Sequence, residues 1–366
     1  MHRVLQQQLI VCVGPGGVGK TTTAAALAYA AALAGRRTAV ITVDPARRLK
    51  DALGLSELSM DPHRVEIHAE ASFDALALDA KRAFDALIQR LAPNPETAQR
   101  IQANRLYQEL SNGLAGSAEY MAMERLHELV HSQKYDTVIV DTPPSSHARD
   151  LLAAPNKLMS LLASRAVSLL QSPSRLLAGT SSAARVALST LLKALERWTG
   201  LELLRDLGDF VSGFESMIDG FSRRADEVNQ LLRSPATGFV LVTTADPYTV
   251  ATTIGFHREL SAGNYPIAGV VANRVLAFAR LDGAEAAAAG AEPLGSKLLK
   301  NYAALAALAT RQRRALQCLH DQTGLPLLAA VPAVIEPPTS LAGLERFARA
   351  LVSDADTLAV MGMNDK

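Results

Sequence analysis

The run Gly14-Pro15-Gly16-Gly17-Val18-Gly19-Lys20-Thr21-Thr22 joins an apolar stretch, Leu9–Val13, to an alanine-rich segment that begins at Lys20. Few folds accommodate such a turn, because each glycine removes the Cβ that would hold the backbone away from whatever the turn encloses. The spacing is Gly14, four residues, then Gly19-Lys20-Thr21. That is the pattern of a loop whose backbone N–H groups curl around a polyphosphate while the following helix points its positive end at it. Read this way, Gly14, Gly16, Gly17, Val18, Gly19, Lys20, Thr21 and Thr22 form a nucleoside triphosphate site, with Lys20 bridging the outer phosphates and the Thr21 hydroxyl ligating Mg²⁺. The bland alternative is a glycine-rich turn with no ligand, and the strand–loop–helix context argues against it.

Apolar runs and helical spacing alternate along much of the chain. Strands are expected at Leu9–Val13, Thr38–Val43, Val65–His68, Thr137–Val140, Phe239–Thr243, Ile267–Ala272 and Leu327–Val331. Helices are expected from Lys20 to Ala34, Tyr248 to Leu260, Lys297 to His320 and Leu341 to Leu351, while 282–293 reads equally as a short helix or a loop. The pattern predicts an α/β fold, one doubly wound and mostly parallel sheet of seven to eight strands. Helical spacing also fills 73–131 and 150–234, which marks these as helical subdomain regions inserted in a discontinuous core of 1–149 and 235–366. Two aspartates stand at strand ends. Asp44 opens the loop Asp44-Pro45-Ala46, and Asp141 closes a β-branched run before Thr142-Pro143-Pro144. Asp141 is placed to organise the water around Mg²⁺. An aspartate after an apolar run is commonly a turn residue, and it is the loop at Gly14–Thr22 that gives this one its meaning.

With 37 Lys+Arg against 36 Asp+Glu, the net charge of +1 offers no electrostatic footprint for nucleic acid or an anionic membrane. The only cysteines, Cys12 and Cys318, supply neither a disulfide framework nor a clustered metal site, so no zinc is expected and a reducing cytoplasm fits. No apolar run reaches the roughly 18 residues of a spanning helix.

Taken in order, Gly14–Thr22, Asp44-Pro45-Ala46, Asp141-Thr142-Pro143-Pro144, the helical insertion and Asn273-Arg274 at a strand end resemble the arsenite-pump ATPase family. That family includes the cytosolic ATPases that deliver tail-anchored membrane proteins, and it sits among the dimerising deviant-Walker P-loop ATPases. The resemblance covers nearly the whole chain. It implies ATP and Mg²⁺ as ligands, Asp44 and Lys20 as catalytic residues with Asp44 polarising the attacking water, and Asp141 coupling a switch to the γ-phosphate. It further implies that Asn273 hydrogen-bonds the adenine, with Arg274 beside it, and that the loop near Pro332 and Val334 packs on the base.

One departure matters. Relatives carry a lysine at the second position of the loop, reaching across a dimer interface to the partner's nucleotide; here that position is Pro15. Proline has neither the charge nor a backbone N–H to offer. Either a related partner subunit supplies the lysine in a heterodimer, or Arg47 or Arg48 substitutes in a homodimer, or hydrolysis is slow. The helical insertion carries Leu158, Met159, Leu161, Leu162, Leu169, Leu170, Leu176 and Leu177. These serve either ordinary helix-to-helix contacts or, as the resemblance implies, a surface for a hydrophobic membrane-protein client. Two further readings stand beside client delivery: an energising subunit of an anion efflux pump, and a weakly active regulatory partner of a lysine-bearing paralogue.

Overall fold

The computed structural model describes residues 1–43, 48–68, 71–104, 107–108, 117–143, 218–276, 293–333 and 338–353. Along these run strands β1 (Leu9–Val13), β2 (Thr38–Thr42), β3 (His63–His68), β4 (Ala71–Ala77), β5 (Thr137–Asp141), β6 (Thr237–Thr244), β7 (Ile267–Val275) and β8 (Leu327–Pro332). The helices are α1 (His2–Leu5), α2 (Lys20–Leu33), α3 (Arg48–Leu53), α4 (Ala80–Leu91), α5 (Pro95–Ala103), α6 (Ser117–His131), α7 (Ile218–Arg233), α8 (Pro247–Ala262), α9 (Pro293–Thr323) and α10 (Leu341–Val352). The chain divides into two compact units, Met1–Leu78 with Leu129–Ala148 and Leu231–Lys366, and Asp79–Glu128 with Arg149–Gln230.

The first unit is built on an eight-stranded sheet ordered β3-β4-β2-β5-β1-β6-β7-β8. All neighbours run parallel except β3 and β4, which are antiparallel. This is the mostly parallel α/β sheet expected. Its central strands β1, β2 and β5 are buried at every position, as strands covered on both faces must be. On one face Ile10, Cys12, Val40, Ile139, Val240 and Val242 share a core with α2 and with Leu344, Phe347 and Leu351 of α10. On the other, Ala272 and Ala330 meet Leu316 of α9. Alanine allows α2 to lie close to the sheet, so that Ala24, Ala25, Ala26, Leu27 and Ala28 are all fully buried. The helix ends where Gly35 takes φ +79° and the Arg36 N–H reaches back to the Ala31 carbonyl.

One expected boundary fails. Helical spacing predicts helix from Phe73, yet Ala71–Ala77 is a strand, hydrogen-bonded to β2 on one side and β3 on the other. Phe73 and Ala75 point into the core in strand alternation, and the Tyr135 hydroxyl donates to Asp74 at 2.7 Å. Sheet pairing overrides the propensity of an Ala/Leu-rich segment, and helix begins only at Ala80, where the Asp79 carboxylate caps the Arg82 N–H. The short α1 was likewise not expected from the sequence.

In the second unit, Phe84 of α4 stacks on Tyr107, beyond the end of α5, with ring centroids 5.4 Å apart. The Tyr107 hydroxyl donates to Asp85. Glu124 is buried and lies 2.8 Å from the Arg224 guanidinium, with Arg90 at 3.7 Å. Burial pushes its carboxyl above the ordinary range, and the two arginines pull it back. The eight apolar residues singled out between Leu158 and Leu177 lie outside the described residues. Among the described residues no helix is long and apolar enough to cross a membrane.

Candidate functional site: a glycine-rich loop at the carboxyl edge of the sheet

Because its strands run parallel, the sheet brings the ends of β1, β2, β5, β6, β7 and β8 to one edge, with β1 in the middle. In such sheets ligands sit at that edge, beside the point where the strand order turns back. The loop after β1 occupies this position, and its shape is imposed by strands remote in sequence. A Cβ at Gly14, where φ is +155°, would overlap the Val242 carbonyl of β6. A Cβ at Gly19, where φ is +96°, would overlap the Asn273 side-chain amide on β7. Both glycines therefore let the loop lie flat against its neighbours. Gly16 and Gly17 stay exposed at its crest, and Val18 is buried beneath them.

Gly19 is the N-cap of α2 and contributes no side chain to its first turn, in which no acidic residue occurs. The first turn, which holds Lys20, Thr21 and Thr22, thus has no capping side chain and no like charge to compete with an anion. Lys20 is only 7% exposed, and its ammonium donates to the carbonyls of Gly14 (3.1 Å) and Pro15 (3.0 Å). The side chain is folded along the loop it would serve.

Asp141 ends β5, in register with Cys12 of β1 and Thr42 of β2, and is fully buried. Its Oδ2 accepts from the Thr21 hydroxyl at 2.8 Å and from the Thr42 hydroxyl at 2.9 Å. The predicted metal-site pair, Thr21 and Asp141, is therefore in direct contact across 120 residues of sequence. The neighbouring Thr142 hydroxyl donates to the Cys12 carbonyl at 2.7 Å. Burial pushes the Cys12 thiol far up, the Asp141 carboxylate adds to the shift, and Lys20 opposes it.

Asn273 is 5% exposed, and its amide N–H donates to the Val18 carbonyl at 2.8 Å while its oxygen accepts from the Arg274 N–H at 2.9 Å. It is bolted to the loop. Arg274 is exposed and takes φ +56°, a conformation that bulky residues adopt at a cost. Pro332 closes β8, paired with Val275. Asp44, Pro45, Ala46, Arg47 and Val334 lie outside the described residues, and Arg48 is exposed at the start of α3.

Sequence reasoning missed Thr42 and Val242. Thr42 had one signal, a hydroxyl after the apolar interior Ala39–Ile41 of β2, but its partner is set by strand order. Val242 acts through its carbonyl, which no side-chain pattern announces.

Comparison with known proteins finds relatives named as ATPases. The chain is 33% identical over 160 residues to "ATPase ASNA1 homolog 1" of Paramecium tetraurelia, a match covering 43% of this chain and 47% of the relative. It is 30% identical over 154 residues to "ATPase GET3" of Malassezia globosa, covering 42% and 44%. The match to "ATPase get3" of Aspergillus terreus is 28% identical over 265 residues and covers 72% of each chain. The first two alignments thus span somewhat under half of those relatives' lengths. The model of the family described as "Anion-transporting ATPase" matches residues 7–287, and with the loop, Asp141 and Asn273 all inside that span, the chain belongs to this family.

Proposed function

We propose that this chain binds and hydrolyses ATP with Mg²⁺, and that the nucleotide state of a dimer is relayed to a helical subdomain that engages hydrophobic membrane-protein clients. The observation that carries the nucleotide reading is the assembly of Lys20, Thr21 and Asp141 around a loop that only glycine at positions 14 and 19 permits. Family membership supports the ATPase activity.

The residues do separate work. The crest of the loop and the first turn of α2 offer N–H groups to the β- and γ-phosphates, and the Lys20 ammonium exchanges its loop carbonyls for phosphate oxygens. Transfer of a phosphoryl group to water depends chiefly on positioning and charge neutralisation, so a preformed cradle supplies much of what is needed. The donor set suits Mg²⁺, a hard cation that takes oxygen ligands and keeps several waters. Thr21 would hold it through its hydroxyl and Asp141 through those waters, and the ion would supply charge neutralisation at the phosphates. Asp44 orients the attacking water in this reading, and Asn273 with Arg274, Pro332 and Val334 forms the base site. Asn273 then serves base and loop together, since its amide already holds Val18.

The dimer, the client and the cytoplasmic location rest on the resemblance to the tail-anchored-protein-targeting ATPases. Pro15 favours a second reading, in which the chain is a slow, regulatory partner of a lysine-bearing paralogue. The test is equilibrium binding of ATP with Mg²⁺ to the intact chain and to Lys20→Ala, followed by turnover alone, after Pro15→Lys, and after mixing with a lysine-bearing paralogue. Tight binding lost in Lys20→Ala is expected. Unchanged binding in that variant refutes the site, and turnover that appears only with the paralogue or Pro15→Lys selects the second reading.

A further inference from the structure

We infer that Thr42 is a positioning residue for the metal–nucleotide site: it holds the Asp141 carboxylate in the orientation that Thr21 and Mg²⁺ require. The inference rests on the metal reading proposed above and adds a residue to it.

Thr42 is 1% exposed at the end of a strand whose interior is Ala39, Val40 and Ile41. A valine would fill the same volume without the cost of burying a hydroxyl. The hydroxyl is instead spent on Asp141 Oδ2 at 2.9 Å. The same oxygen accepts the Thr21 hydroxyl at 2.8 Å. A carboxylate oxygen has two in-plane acceptor sites, so these two donors between them set how the carboxylate is turned.

The donors differ in what holds them. Thr21 rides on the first turn of α2, against the loop that changes partners when phosphate arrives. Thr42 is fixed by the sheet: it pairs in register with Asp141, the Val43 N–H donates to the Asp141 carbonyl, and the Leu78 N–H donates to the Thr42 carbonyl. The rigid donor therefore sets the carboxylate in advance, and the Thr21 oxygen can turn a lone pair to a cation while its proton stays on Oδ2. Loss of a group bonded directly to a metal ligand changes metal affinity by about 10–100-fold; Thr42 acts one link further out, through Asp141, so the lower end of that range applies. Its loss leaves the phosphate cradle of Gly14–Lys20 untouched.

The experiment is equilibrium binding of ADP to the full chain, with Mg²⁺ in excess and with EDTA, in wild type, Thr42→Val and Thr42→Ser. Wild type is expected to bind more tightly with Mg²⁺. In Thr42→Val that enhancement should fall about tenfold while the EDTA affinity stays within about twofold, and Thr42→Ser should restore it. The inference is overturned if Thr42→Val keeps the full enhancement, if it loses affinity equally in EDTA, or if serine restores nothing. Should Thr42→Val fail to fold, Thr42→Ala replaces it; failure of both makes the hydroxyl a requirement of the fold and overturns the inference. A wild type that binds ADP with no gain from Mg²⁺ refutes the metal reading itself, a result distinct from the variant-specific failures.

Discussion

Gly19→Ala is the sharpest probe of how the loop is built, because its penalty has two parts that a second substitution separates. The first is backbone: at φ +96° an L-residue is strained whatever space surrounds it, at a cost of about 1–2 kcal/mol. The second is steric. The new Cβ would fall well inside the 3.0 Å from the Asn273 amide nitrogen that real Cβ atoms respect. The obstacle is a side chain, so Asn273 swings away and gives up its 2.8 Å bond to the Val18 carbonyl. That buried carbonyl then lacks the partner, for a further loss of about 1–2 kcal/mol. Gly19→Ala should therefore cost about 3 kcal/mol and Asn273→Ala alone about 1.5 kcal/mol. In the double variant the bond is already gone and the obstacle removed, leaving a total of about 3 kcal/mol where addition demands about 4.5 kcal/mol. The coupling of about 1.5 kcal/mol is read from urea unfolding followed by circular dichroism, in the absence of nucleotide. Additivity within about 0.5 kcal/mol would refute the claim that Asn273 and Gly19 compete for one space.

Other consequences are as testable. Exposed Cys318 should react at once with a thiol reagent, whereas buried Cys12, its thiol pushed up by burial, should react only on unfolding; Cys318→Ser removes the fast phase. Arg37 beside Asp136 holds that carboxyl at about 2, so its contribution to stability is present above the ordinary value of 3.8 and is lost as pH falls through about 2. The pair is exposed and the effect small, and an NMR titration of Asp136 should show the low midpoint rising with salt. Arg224→Met takes the nearer guanidinium from buried Glu124 and should destabilise the protein by about 3 kcal/mol, most of which the further change Glu124→Leu restores. A double variant no more stable than Arg224→Met contradicts that account.

The parallel sheet was legible because its central strands are buried on both faces and therefore appear as unbroken apolar runs, such as Leu9–Val13 and Thr137–Val140. The edge was not. In β4 the residues Ala71–Ala77 mix alanine and leucine with Ser72 and Asp74, a composition that fits helix or strand equally; only pairing with β2 and β3 decides it. The site divides in the same way. Lys20 and Thr21 could be placed at the foot of the loop because their positions depend on neighbours within it. Thr21 and Asp141 were assigned to one metal site through the motif order, but their direct bond was not anticipated, since nothing in a linear reading states that β5 lies next to β1. Thr42 and the Val242 carbonyl were invisible for the same reason.

Strand order is thus part of the chemistry. The loop follows β1, yet Val242 of β6 limits Gly14, Asn273 of β7 limits Gly19 and holds Val18, and Asp141 of β5 holds Thr21. Each constraint comes from a strand distant in sequence: β5 and β6 flank β1, and β7 lies beyond β6, so the loop's surroundings are complete only when both halves of the sheet are in place. On the nucleotide reading proposed above, a polyphosphate bound to the cradle stabilises that assembled state by mass action. Ligand stabilisation should accordingly shrink on any substitution that loosens β6 against β1 or β7 against β6, including ones far from the phosphates. Gly14→Ala is the strictest case, because the obstacle there is the Val242 backbone carbonyl, which no side-chain rotation can move aside.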